Sequence, residues 1–98
     1  MAKYLMLWTS DTSKYPDDPK ESIPLMMKLQ DMIKQGLKEG KLTDLGIFLD
    51  GNGGYAIGEG SGVDVIKGAF QYMPYITANV QEVLSVEEVA EVTKSLMG

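Results

Sequence analysis

The chain contains no cysteine and no histidine among its 98 residues. The missing thiols exclude disulfides, thiolate metal sites, iron–sulfur clusters and cysteine nucleophiles. The missing imidazoles remove the commonest general base, the usual haem ligand and triads of the Ser-His kind. Any acid–base chemistry therefore falls to Asp, Glu, Lys or Tyr. Positive charge is scarce as well: Lys+Arg of 9 against Asp+Glu of 14 gives a net charge of -5 and a pI near 4.5. That balance argues against nucleic acid and anionic membranes, both of which reward clustered positive charge. Long apolar runs are absent too. The stretch Tyr4 to Trp8 is too short for a signal-peptide core, and nothing approaches the ~20 residues of a membrane span. The expectation is a cytoplasmic protein with no membrane and no nucleic-acid partner.

Glycine, by contrast, is concentrated. Gly51 to Gly62, GNGGYAIGEGSG, lies midway along a chain with 11 glycines and invites comparison with a phosphate-cradling loop. Such a loop follows a strand and opens directly into a helix, so that backbone N–H groups and the helix dipole meet the phosphate. Here the first glycines lead into another strand, and Glu59 and Asp64 would repel a phosphate at the helix that follows. The cluster reads as hairpin, strand and helix entry.

The remaining elements follow from periodicity. Lys3 to Thr9 reads as a strand with apolar residues on both parities, Tyr4, Met6 and Trp8 against Leu5 and Leu7, so both faces are expected to be covered. Ile23, Met26, Met27, Leu29, Ile33 and Leu37 recur at helical spacing. Asp18-Pro19 and Ser22-Ile23-Pro24 are alternative starts for that helix, and Gly40 is its stop. Leu45 to Leu49 alternates as a second strand, and Asp50-Gly51-Asn52-Gly53 makes a hairpin to a third, Tyr55 to Glu59. The small residues Gly54, Ala56 and Gly58 imply that something packs closely there. Ser61 and Asp64 cap a second helix that runs from Val63 to Met73, before Pro74. Tyr75 to Leu84 is a fourth strand with one apolar and one polar face, and Ser85-Val86-Glu87-Glu88 is a capping box for a short terminal helix. The order is βαββαβ plus a C-terminal helix. With right-handed crossovers it gives an α+β, ferredoxin-like domain, residues 1-98, with a four-stranded antiparallel sheet.

Electron-transfer ferredoxins are excluded by the lack of cysteine. An RNA-recognition domain needs a basic-led aromatic pattern on the third strand, where Gly54-Tyr55-Ala56-Ile57-Gly58-Glu59 offers one aromatic and an acid. The element order, the double-sided first strand, Gly54-Tyr55 and Pro74-Tyr75 together resemble the dimeric α+β barrel superfamily, over nearly the whole length. Gly40-Lys41-Leu42, Gly54-Tyr55-Ala56-Ile57 and Glu59-Gly60 are most similar to a branch of small members without an assigned activity. The resemblance implies a homodimer packed sheet to sheet and a pocket between helices and sheet. Some relatives use that pocket for cofactor-independent oxygenation, lactone isomerisation or haem breakdown. None of these carries over by motif, since the histidines of the haem-degrading, stress-responsive and His-Asp branches are missing.

Two kinds of role stay open for the candidate residues. Trp8, Tyr55, Tyr72 and Tyr75 have the bulk and polar tips to line a pocket for a small apolar or aromatic ligand, and equally to fill a core or dimer interface. Glu59, at the end of the third strand, is a candidate acid or base if desolvated, and otherwise a solvated strand-end carboxylate. Asn79, with Thr77 and Gln81, gives the fourth strand a polar face for a ligand or for water. Met26, Met27 and Met32 read as adaptable core fillers, and Lys34, Lys38 and Lys41 as a stripe favoured by the helix dipole. Asp11, Asp17 and Asp18 lack the EF-hand pattern, so neither a metal nor a cofactor is expected. The functional expectation is a homodimer that binds a small apolar molecule. The alternatives are a cofactor-independent isomerase or monooxygenase-like enzyme, and an interaction module without a pocket.

Overall fold

A computed structural model describes residues 2–98. Four strands, β1 (Ala2–Ser10), β2 (Leu42–Ile47), β3 (Gly53–Gly60) and β4 (Ile76–Val83), form one sheet in the order β2-β3-β1-β4 with every neighbouring pair antiparallel. Helix α1 (Pro19–Lys38) connects β1 to β2, α2 (Gly62–Phe70) connects β3 to β4, and α3 (Val86–Leu96) follows β4. This α+β arrangement is compatible with the ferredoxin-like fold expected from the sequence.

The helix boundaries have local causes. Asp18 caps α1 by accepting from the Lys20 N–H at 3.0 Å, with Pro19 in the first turn, so the earlier of the two expected starts is used. At the other end Gly40 takes φ 78, while the Lys41 N–H donates to the Gly36 carbonyl at 3.0 Å and the Gly40 N–H to that of Leu37 at 3.2 Å. That is a Schellman stop, which only a residue tolerant of positive φ completes at low cost. Ser61 caps α2 by accepting from the Asp64 N–H at 3.2 Å. The helix ends at Phe70, short of the expected Met73, where the N–H groups of Gln71, Tyr72 and Met73 donate three residues back, to Gly68, Ala69 and Phe70, in tightened turns before Pro74. Ser85 and Glu88 form the expected reciprocal capping box on α3.

The second strand is shifted relative to expectation, running from Leu42 to Ile47. Phe48 to Gly51 is consumed by the turn, in which the Gly51 N–H donates to the Phe48 carbonyl at 2.8 Å and Gly51 has φ 77. A bulge between Leu42 and Asp44 places both Leu42, opposite Gly58, and Leu45, opposite Ala56, on the same side of the sheet.

Residues directly opposite one another in an antiparallel pair share a face. Met6 therefore lies beside Ala56 and Val80, and Trp8 beside Gly54 and Ala78, on the side that α1 and α2 cover. Met6, Ala56 and Val65 form the buried centre there, packed by Tyr4, Trp8, Leu42, Leu45 and Val80. The opposite face carries Leu5, Leu7, Tyr55 and Ile57 down the middle and Thr77, Asn79 and Gln81 along β4. Among the described residues nothing covers it, and Leu7 is 51% exposed.

Candidate functional site

An open cleft of about 800 Å³ lies between α1, α2 and the covered face of the sheet. Strand alternation supplies its floor: Met6 and Trp8 from β1, Ala56 and Gly58 from β3, Leu42 and Leu45 from β2. The helices supply its walls, with Met32, Ile33 and Gly36 from α1 and Val65, Gly68 and Ala69 from α2. Small residues at Gly36, Gly68 and Ala69 keep the two helices from filling the space with their own side chains. The polar lining residues are Gln35, Glu39 and Lys41 where α1 passes into β2, Glu59 at the end of β3, and Asp64, Lys67, Gln71 and Tyr72 along α2 and just beyond it.

Trp8 is shaped by its neighbours. A side chain at Gly54 would strike the Trp8 ring, at 2.5 Å from Cζ2, and also the Gly46 carbonyl, so glycine there makes room for the indole. Gly58 likewise accommodates the Met6 methyl, which would lie 3.2 Å from an added Cβ. The close approach expected beside Gly54, Ala56 and Gly58 is thus made partly by the chain's own Trp8 and Met6. The indole Nε1 of Trp8 is buried and has no hydrogen-bond partner, an uncompensated donor in the packed interior.

The polar edge is held in defined states. Glu39 accepts from the Gln35 amide at 2.8 Å and pairs with Lys41 at 3.1 Å. The Gln35 hydrogen bond first, and Lys41 second, hold its carboxyl below the ordinary value. Burial pushes the Tyr72 phenol up, so it stays protonated and acts as a hydroxyl donor or acceptor, not as a phenolate base. Among the described residues no group of three or more Asp or Glu is placed to hold a metal ion.

The six residues singled out by sequence fall in three places. Trp8, Glu59 and Tyr72 border the cleft, Glu59 at the end of β3. Tyr55 and Asn79 lie on the open face, where they flank Leu7 in register. Tyr55 donates its hydroxyl to Asp44 at 2.8 Å, and that hydrogen bond, followed by the carboxylate's charge, raises its pKa. Its ring occupies the space above Gly46, the counterpart of the Trp8–Gly54 pair on the other side of the sheet. Tyr75 stands apart, edge-on to Tyr15 with ring centroids 5.5 Å apart. Met6, Met32, Val65 and Gly68 line the cleft without having been singled out. Their signal in the sequence was that of ordinary helix and strand interiors, which does not distinguish a filled core from a lined cavity.

No family model and no curated protein matches the chain.

Proposed function

We propose that the protein binds a small, largely apolar molecule, aromatic ligands included, in the cleft between its helices and sheet, and that it does so as a homodimer of the α+β barrel kind. The observation that carries this reading is the cleft of about 800 Å³ with a largely apolar floor and walls. Ligand pockets have this construction, with volumes of roughly 300–1,000 Å³ and a few polar groups that orient the guest. The homodimer is supported by the open face of the sheet. Leu5, Leu7, Tyr55 and Ile57 make a central apolar strip flanked by polar residues, the pattern of a surface meant to meet another.

Of the polar groups that border the cleft, the Tyr72 phenol is raised in pKa by burial and Glu39 is engaged by Gln35 and Lys41. We therefore take binding as the function and leave the isomerase or monooxygenase alternative without a supporting observation.

The chain has a single tryptophan, and it lies at the floor of the cleft. Titration with a panel of uncharged aromatic compounds is expected to change Trp8 emission saturably, with a matching mass increment in native mass spectrometry. Silence across the panel in both readouts contradicts the reading. The homodimer is checked separately by light scattering on the eluting protein.

A further inference from the structure

Helix α3 is well made and unpartnered. Its capping box is complete, yet it forms no packed interface with any other element, and Val89, Val92 and Leu96 are 49%, 56% and 81% exposed. These three recur at helical spacing on one side, and Glu87, Glu91 and Lys94 occupy the opposite side. The molecule extends 63 × 25 × 21 Å with a radius of gyration of 16.5 Å, against about 13 Å for a compact chain of this length. The helix is an arm carrying an apolar stripe into solvent.

The same chain carries an unfilled seat of matching character. Between α2 and β4 runs a groove of about 250 Å³ whose principal lining residues are Ile66, Phe70, Met73, Ile76 and Val80. It has no charged lining residue, so it suits a helix that keeps its own charges on the far side. The larger cleft, edged by charged side chains, suits it less.

We propose that α3 is an exchanged arm: in the homodimer inferred above, on which this proposal rests, the stripe of each chain lies in the α2–β4 groove of the other. Reach argues for a second copy. Val80 and Ile76 lie five and nine residues before Ser85 in β4, which is about 16 and about 30 Å back along the strand. An 11-residue helix is about 16 Å long. Folded back on its own strand from the two-residue link Leu84–Ser85, the arm would bring only its last turn to the near end of its own groove. A second chain's arm starts from that chain's own β4, so the distance back along this strand does not limit how much of the groove it occupies. Because each chain supplies one stripe and one groove, two copies satisfy both contacts and close on themselves.

The absence of cysteine makes the test direct. A chain carrying both Val92→Cys and Phe70→Cys, oxidised mildly at low concentration, is expected to run as a covalent dimer on a non-reducing gel, whereas each single variant alone runs as a monomer. A covalently closed monomer overturns the exchange, since it places the arm on its own chain. No cross-link in a chain that is dimeric by light scattering overturns the seat. The second measurement is Val92→Asp with Leu96→Asp, at exposed positions that leave the body folded. It is expected to weaken association by about a hundredfold or more, and unchanged association overturns the proposal. A parent chain that is monomeric at all concentrations overturns both the exchange and the homodimer. Ligand binding in the cleft, read by Trp8 emission, is a separate outcome, so failure of the arm and failure of the binding reading are told apart.

Discussion

The two faces of the sheet are built from the same strands, and each holds one aromatic ring over one glycine: Trp8 over Gly54 on the covered side, Tyr55 over Gly46 on the open side. Their fates differ because only one face has helices above it. On the covered side Trp8 is locked between backbone and core, and its Nε1 is buried. On the open side Tyr55 keeps a solvated hydroxyl that donates to Asp44. The same cross-strand device buries a ring in one case and holds a hydroxyl toward solvent in the other. The covered face is where substitutions cost stability. In the proposed homodimer, the open face is where they cost association.

That contrast is easiest to break at Gly54. Gly54→Val is expected to destabilise the fold by about 3 kcal/mol or more, because the new side chain meets the Gly46 carbonyl and the Trp8 ring and overpacking in a constrained site has costs of that order. Urea denaturation followed by Trp8 emission measures it. A loss below about 1 kcal/mol would mean that the indole is not confined as described.

Met6 and Leu7 sharpen the comparison, since they are adjacent and face opposite ways. Met6 is 7% exposed, and Met6→Ala is expected to cost about 2–3 kcal/mol in denaturant midpoint analysis. Leu7→Lys is expected to change the stability of the isolated chain by less than about 0.5 kcal/mol while shifting the mass measured by light scattering from dimer to monomer. Equal stability losses at the two positions would erase the distinction between the faces.

The smallest effect is a titration on the open face. Hydrogen bonding to Asp44 raises the Tyr55 pKa above its ordinary value of 10.0. The folded form thus favours the neutral phenol. Its contribution is fully present below the unfolded value and is lost as pH rises through the folded one. Spectrophotometric titration should show two phenols ionising late, Tyr55 and Tyr72, and Tyr55→Phe should remove one of them. Two late transitions that persist in Tyr55→Phe would place the effect on another tyrosine.

Much of the fold was legible because its signals are local. The Ser85 capping box, the Gly40 stop and the Gly51 turn each depend on a few neighbouring residues, and each lies where the sequence places it. The ends of β2 and α2 were less legible. The turn takes Phe48 and Leu49 out of the strand, and the chain from Gln71 to Met73 tightens out of the α-helix before Pro74. The cleft was legible only in part. Aromatic residues can be picked out as candidates, and Trp8 and Tyr72 do border it. Their being brought together depends on how α1 and α2 sit over the sheet, which is decided by tertiary packing, with Gly36 and Gly68 leaving the space between them open. Tyr55 is separated from Trp8 by one step of strand alternation, carried across the β1–β3 register. Aromatic content alone does not reveal that.

The claim that the cleft is a binding site is tested most directly by filling it. An added Cβ at Gly68 meets nothing within 4 Å, and a helical Gly→Leu exchange gains about 0.5–1 kcal/mol in propensity. Gly68→Leu should therefore fold at least as stably as the parent chain while occupying the ligand's volume. Measured by calorimetric titration with an aromatic compound that binds the parent, the account predicts that Gly68→Leu loses binding and keeps its fold. Undiminished affinity in a folded Gly68→Leu protein would contradict it.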